Sequence, residues 1–183
     1  MSISTTEFKT AMRSLAGHVC LITTCAEDGS RSGLTATAVC SVSADPPTLL
    51  VCVNRNSASF QAIQKAGVFA VNVLALESRY LADRFASPLP SEEKFSQGSW
   101  HRRSTGAPLL HDALVGFDCR VASALDVGTH GILFGAIEAV QIRNARARPL
   151  LYAHGSYGEF ASTHPASAQE LLWIPSWNPE AVD

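Results

Sequence analysis

The sequence predicts a mostly β fold, an antiparallel closed or Greek-key barrel with peripheral helices, on three observations. From Leu114 onward apolar and polar residues alternate. Val115, Phe117, Cys119, Val121 and Leu125 fall on one face and Asp118, Arg120 and Asp126 on the other, which is the period of a half-buried strand. Two glycine-bearing turns, Asp28-Gly29 and Gly128-Thr-His-Gly131, each join β-rich runs and read as hairpins. Helical segments are short and do not alternate regularly with strands, and no Gly-x-Gly-x-x-Gly turn opens one. A doubly wound parallel sheet therefore fits worse.

Ser4 to Ala16 is expected to form an amphipathic helix. Ser4 or Thr5 can cap it, Glu7 suits its first turn, Phe8, Met12 and Leu15 recur at helical spacing, and Gly17 stops it. Val19 to Cys25 reads as a strand, and a strand from Leu34 to Ser43 is expected to pair back with it across Asp28-Gly29. Pro46-Pro47 blocks ladder bonding locally, and Thr48 to Val53 predicts a buried strand. Ser57 to Lys65 predicts a short helix ended by Gly67, Val68 to Leu74 a strand, Ser78 to Phe85 another helix and Ser87-Pro-Leu-Pro-Ser91 a loop. Beyond the alternating strand, a long apolar strand runs from Ile132 to Ile142 and a last one from Leu150 to Ala153, while Leu171 to Trp177 reads as an apolar strap. With no internal repeat and no linker, residues 1–183 are read as one domain.

Composition narrows the function classes. Hydrophobic residues make up 46% and charged residues 16%, which argues for a folded globule and hints that another subunit covers part of the surface. A formal net charge of −2 without a Lys/Arg block leaves no electrostatic footprint for nucleic acid. The five cysteines include no Cys-x-x-Cys pair and the six histidines show no ligand-like spacing, so neither a disulfide framework nor a metal site is expected. No apolar run reaches membrane-spanning length and the N-terminus lacks a hydrophobic signal region, which makes the cytoplasm the expected compartment.

The candidate site starts at Thr35, Ala36, Thr37, Cys40 and Ser41, where small and hydroxyl side chains allow a flat ligand to approach the backbone. After the next strand come Asn54, Arg55, Ser57 and Ser59, at a helix start, a combination suited to a phosphate. A planar heterocycle with a phosphate tail, such as a flavin, matches both. His130, bracketed by glycines in its turn, could bond an amide or phosphate of a dinucleotide, and Gly155-Ser-Tyr-Gly158 reads as a turn that could present Tyr157 to a ring. Lys94-Phe95 is placed in a loop, where by itself it carries little. There is no nucleophile elbow and no carboxylate pair stands out, so redox chemistry through an organic cofactor is the enzyme class that remains.

The assembled residues closely resemble the flavin reductase-like, FMN-binding split-barrel family, the small reductase components of two-component flavin monooxygenases. The resemblance rests on the run from Gly33 to Ser57, on Phe69-Ala-Val-Asn-Val-Leu74, Arg84-Phe85, Lys94-Phe95, Phe117-Asp-Cys-Arg120, Gly128-Thr-His130 and Gly155-Ser-Tyr-Gly158. These span about Phe8 to Phe160, which sets the core at about 8–160 and leaves 161–183 as a tail. Within the family the chain looks most like the FMN reductases serving uracil monooxygenase or 4-hydroxyphenylacetate 3-monooxygenase.

The resemblance implies a homodimeric NAD(P)H:flavin oxidoreductase that passes a hydride to FMN, or FAD, and releases the reduced flavin to a separate monooxygenase. By the same resemblance Thr35, Ala36, Thr37, Cys40 and Ser41 would line the isoalloxazine. Asn54, Arg55, Ser57 and Ser59 would approach the phosphate, and Lys94 and Phe95 would close the site. Gly128 and His130, with Gly155, Ser156, Tyr157 and Gly158, would meet NADH or NADPH. Thr129 stands where the family's Gly-Asp-His motif carries an acid. No side chain is assigned a catalytic proton transfer, since hydride transfer strictly requires none. A non-catalytic flavin-binding barrel and a split-barrel flavin oxidase are the competing readings.

Overall fold

The structure, a computed structural model, describes residues 3–143 and 147–160. Helix α1 (Thr5–Met12) leads into β1 (Gly17–His18), β2 (Cys20–Cys25), β3 (Arg31–Ala36), β4 (Val39–Ala44) and β5 (Pro47–Asn54). Then come α2 (Ala58–Ala66), β6 (Val68–Val73), α3 (Arg79–Ala86), α4 (Ser91–Lys94), β7 (Trp100–His101) and β8 (Leu109–Leu110). The chain closes with β9 (Val115–Val127), β10 (His130–Ile142), β11 (Leu150–Ala153) and β12 (Ser156–Glu159). The expected strap at Leu171 to Trp177 lies outside the described residues.

Seven strands form one antiparallel sheet in the order β3-β2-β6-β9-β10-β5-β4. β5, β6, β9 and β10 lie in the spatial order β6-β9-β10-β5, which is a Greek key. The two outermost strands, β3 and β4, are joined through Thr37 and Ala38 alone. Three Cα steps span about 11 Å at most, so the sheet must curl until its edges meet at that corner. No ladder joins β3 to β4 among the described pairings. The barrel is closed by the chain but left open along a seam.

This corrects the expected strand from Leu34 to Ser43. The run is two strands on opposite edges, one paired with β2 and the other with β5. β-Propensity continues through Thr37-Ala38, but the sheet edge it serves changes there, which is a tertiary event. The Thr48 to Val53 strand alternates rather than being buried throughout: Leu49, Val51 and Val53 face the core while Leu50 and Cys52 are half-buried.

Two apolar clusters flank β2. Cys20 and Ile22 point into the barrel with Val51, Phe60, Phe69 and Leu133, and Val19 and Leu21 point outward to Leu81, Phe85 and Leu110. α2 plugs the barrel with Phe60 and Ile63. Ser57 caps this helix by accepting the Phe60 N–H at 3.1 Å, and Gly67, at φ 68°, ends it as a left-handed cap. α1 stops at Met12, short of Ala16, and buries none of its residues.

Asp118, expected on the polar outer face of its strand, is fully buried. The segment leading to β8 covers that face: Thr105 donates its N–H to Asp118 Oδ2 at 2.9 Å and its hydroxyl to Oδ1. Next to it Asn72 donates to the Thr23 hydroxyl at 3.1 Å and accepts the Leu110 N–H at 2.7 Å. Buried polar groups require such partners, and here they fasten the covering segment to the barrel wall.

Candidate functional site

The seam places Thr37, Cys40 and Ser41 on the surface, beside an edge of β4 that no strand among the described residues pairs. A strand edge offers N–H and C=O groups free for a ligand, and these side chains are small enough to let a flat ring reach them. A bulge between Ser41 and Ser43 bends β4 at this point. Gly17 supports the corner from behind, since a Cβ there would lie 3.1 Å from the Thr37 Cβ. Ala36 faces the barrel core instead. Thr35 is half-buried and its hydroxyl donates to the Ala82 carbonyl of α3 at 2.7 Å, so that hydroxyl is engaged within the fold.

Across β5 lies the second cluster. Ala38 accepts the Cys52 N–H at 3.0 Å, and two residues further along β5 Asn54 pairs with His130 of β10. Seam and histidine turn are thus separated by two strand spacings, roughly 10 Å. The Asn54 side chain accepts the Asn56 N–H at 2.9 Å and shapes the turn into α2. Arg55 donates its backbone N–H to Thr129 at 3.0 Å and pairs with Asp126 at 2.9 Å. A cleft of about 430 Å³ opens here, lined by Arg55, Asn56, Phe60, Gln61, Gly128 and Thr129 among others. His130 is exposed, and its Nδ1 lies 2.9 Å from the Thr129 hydroxyl, which fixes the ring's orientation.

At the start of α2 the N–H groups of Ala58 and Ser59 have no intrahelical acceptor. Ser57 is the helix cap, and the buried Ser59 hydroxyl lies 3.0 Å from that of Ser32 on β3. The helix start therefore sits between β3 and the Arg55 turn, where its dipole favours an anion.

Two expectations are revised. Lys94-Phe95 is not in a loop: Lys94 ends α4, and Phe95 is buried between Phe85 and Trp100 with ring centroids 5.0 and 4.9 Å away. Lys94 donates to the Phe85 carbonyl at 3.1 Å, and its burial lowers the ammonium pKa. Arg31, which sequence reasoning passed over, lies 4.5 Å above the Phe95 ring. Gly155 to Gly158 is not a simple turn either. Gly155 turns the chain, and Ser156, Tyr157 and Gly158 lie in β12 of a small sheet separate from the one that holds His130. Burial and the neighbouring Asp83 carboxylate push the Tyr157 phenol up to about 12, so it stays protonated.

Thr37, Cys40 and Ser41 thus share one edge, and Asn54, Arg55, Gly128 and His130 share one corner. Tyr157 belongs to the α3 side, where Arg79 lies 4.9 Å above its ring. Asp126 is a site residue that sequence reasoning left on a polar face; its place two residues before Gly128 was the available signal. Cys20 and Cys119 are buried thiols pushed up to about 12 by desolvation and are inert as nucleophiles. Among the described residues no cluster of His, Cys, Asp and Glu could hold a metal, and no helix is long and apolar enough to cross a membrane.

A curled antiparallel sheet open along one seam, with peripheral helices, defines a split-barrel class of protein. The profile of the flavin reductase-like domain matches residues 12–161, and the chain belongs to that family. It is 46% identical over 156 residues to FMN reductase (NADH) RutF 2 of Methylorubrum extorquens strain PA1, covering 85% of this chain and 90% of that protein. It is 44% identical over 151 residues to FMN reductase (NADH) RutF of Agrobacterium fabrum, covering 82% and 86%. Among solved structures it is similar to BorF, the flavin reductase component of a bacterial two-component tryptophan halogenase, with a TM-score of 0.80 at 30% identity over 87% of this chain and 99% of that one.

Proposed function

We propose that this protein is an NADH-dependent FMN reductase that hands reduced flavin to a separate flavin-dependent monooxygenase. The observation that carries the reading is the unzipped β3/β4 seam, lined by Thr37, Cys40 and Ser41 and separated from the His130 turn by β5 alone, two strand spacings in all. Relatives named FMN reductase (NADH) support the choice of FMN and NADH, and the halogenase component supports a two-protein arrangement.

FMN, when bound, supplies the ring that accepts the two electrons. The chain's own tasks are positional. The open edge at Thr37 to Ser41 offers main-chain groups and hydroxyls to the ring's polar rim. Arg55, Ser57 and the first-turn N–H groups of α2 take the phosphate, with Asn54 shaping their turn and Ser59 bracing it. His130 and Gly128 receive the nicotinamide nucleotide, so both reactants meet across β5. Lys94 and Phe95 brace β3 from outside, and Gly155, Ser156, Tyr157 and Gly158, which lie against α3 in a separate sheet, would reach the nucleotide only if it extends from His130 to that side. Contacts made by neutral hydroxyls and a single arginine suit a ligand that must leave.

The protein is further taken to be one domain with its core at about 8–160, to work as a homodimer and to reside in the cytoplasm. Phe8 and Met12 on α1, with Leu15 in the turn that follows it, are apolar side chains each about half exposed or more, and a second copy would cover them. Sedimentation is expected to give twice the chain mass, and Met12→Glu to give the single-chain mass.

The activity test is direct. Purified protein with FMN should oxidise NADH well above the rate of free FMN with NADH, and most of the flavin should dissociate on gel filtration. A rate equal to the free-flavin background would refute the assignment, and flavin retained without turnover would favour a binding module.

A further inference from the structure

Asp126 sits against Arg55, the residue given the ligand's phosphate. Its Oδ2 is 2.9 Å from an Arg55 Nη atom, and both side chains are only half covered, at 47% and 44% exposure. A second Arg55 N–H reaches the Gly128 carbonyl at 3.4 Å. Among the described residues lining the adjoining cleft, Arg55 alone carries charge. A guanidinium has five N–H donors in a planar fork and recognises carboxylate and phosphate with the same geometry. Two of the five are already taken, one of them by a carboxylate that matches a phosphate oxygen in charge and shape.

We propose that Asp126 is a built-in competitor for Arg55, holding down the affinity for the phosphate of the bound flavin or pyridine nucleotide so that the ligand can leave after turnover. The inference rests on Arg55 being the phosphate contact. A phosphate entering the corner must share the guanidinium with Asp126 and accept a second negative charge nearby. The half-exposed setting keeps the opposing effect modest, which suits tuning rather than exclusion. Asp126 is therefore a positioning residue: it acts on the ligand through Arg55.

The test measures dissociation constants for FMN and riboflavin, and KM for NADH, in the parent protein, Asp126→Asn, Arg55→Gln and the double variant. Asp126→Asn should tighten a phosphate-bearing ligand by about two- to fivefold, the range of half-exposed charge pairs, and leave riboflavin unchanged. Tightening of FMN identifies the flavin phosphate as the group concerned, and tightening of NADH identifies the nucleotide. In the Arg55→Gln background most of the gain should vanish. Unchanged FMN and NADH constants in Asp126→Asn, with Arg55→Gln still weakening one of them, would overturn the competition and leave the Arg55 assignment standing. An equal gain in both backgrounds would also overturn it, as would equal tightening of riboflavin. Arg55→Gln without effect on either ligand would remove the phosphate contact itself and the proposal with it.

Discussion

Gly131→Ala is expected to lower stability by about 2–3 kcal/mol and to weaken FMN and NADH together. A Cβ on Gly131 would lie far inside van der Waals contact with Cε2 and Cζ of Phe60, at the edge of that ring. That ring is buried between α2 and the barrel core, with Val51, Ile63 and Leu133 in the same cluster. Overpacking of this kind typically costs about 1–3 kcal/mol, and Phe60 can yield only by displacing α2. Displacing α2 moves Ser57 and Ser59, and Gly131 itself adjoins His130, so both halves of the site lose their geometry. For a chain of this size the melting temperature should drop by about 5–10 °C. Gly158→Ala is the matched control. No atom stands within 4 Å of a Cβ at that position and its φ is not in the left-handed region, so its change should stay within about 0.5 kcal/mol. Equal melting temperatures for the two variants would contradict the packing described for Phe60.

His130→Ala is expected to raise KM for NADH by up to about tenfold while the FMN dissociation constant stays within twofold of the parent's. The ring is exposed and oriented by Thr129, and a hydrogen bond offered to a ligand from such a position is worth about 0.5–1.5 kcal/mol. The open edge at Thr37 to Ser41, proposed to face the flavin, lies two strand spacings away and makes no contact with the imidazole among the described hydrogen bonds. Steady-state kinetics with each substrate varied, together with flavin fluorescence titration, separates the two effects. Collapse of FMN binding in this variant would mean that the turn belongs to the flavin.

What the sequence disclosed follows from which features are local. The β9–β10 hairpin was legible because a period of two and a glycine turn are properties of neighbouring residues, and the α2 boundaries because Ser57 and Gly67 are local caps. The break at Thr37-Ala38 was not legible, because which sheet edge a strand joins depends on partners far along the chain. Asp118 was misplaced for a related reason: the segment that covers it, around Thr105, has no periodic signal. In the site, the residue types around Thr37, Arg55 and His130 pointed to a phosphorylated flat ligand, and the structure brings the Arg55 and His130 turns together. Side-chain commitments were hidden. Nothing local reveals that the Thr35 hydroxyl is tied to Ala82 or that Arg55 meets Asp126.

The central claim is that FMN seats in the unzipped seam between β3 and β4, next to the start of α2. Amide hydrogen exchange at saturating FMN tests it most directly, because free edge and first-turn N–H groups exchange readily until a ligand engages them. Slowed exchange within Thr37 to Ser41 and at Ala58 and Ser59 is the predicted result. Unchanged exchange there, with protection instead at the distant cleft lined by Cys25, Lys65 and Arg102, would contradict it.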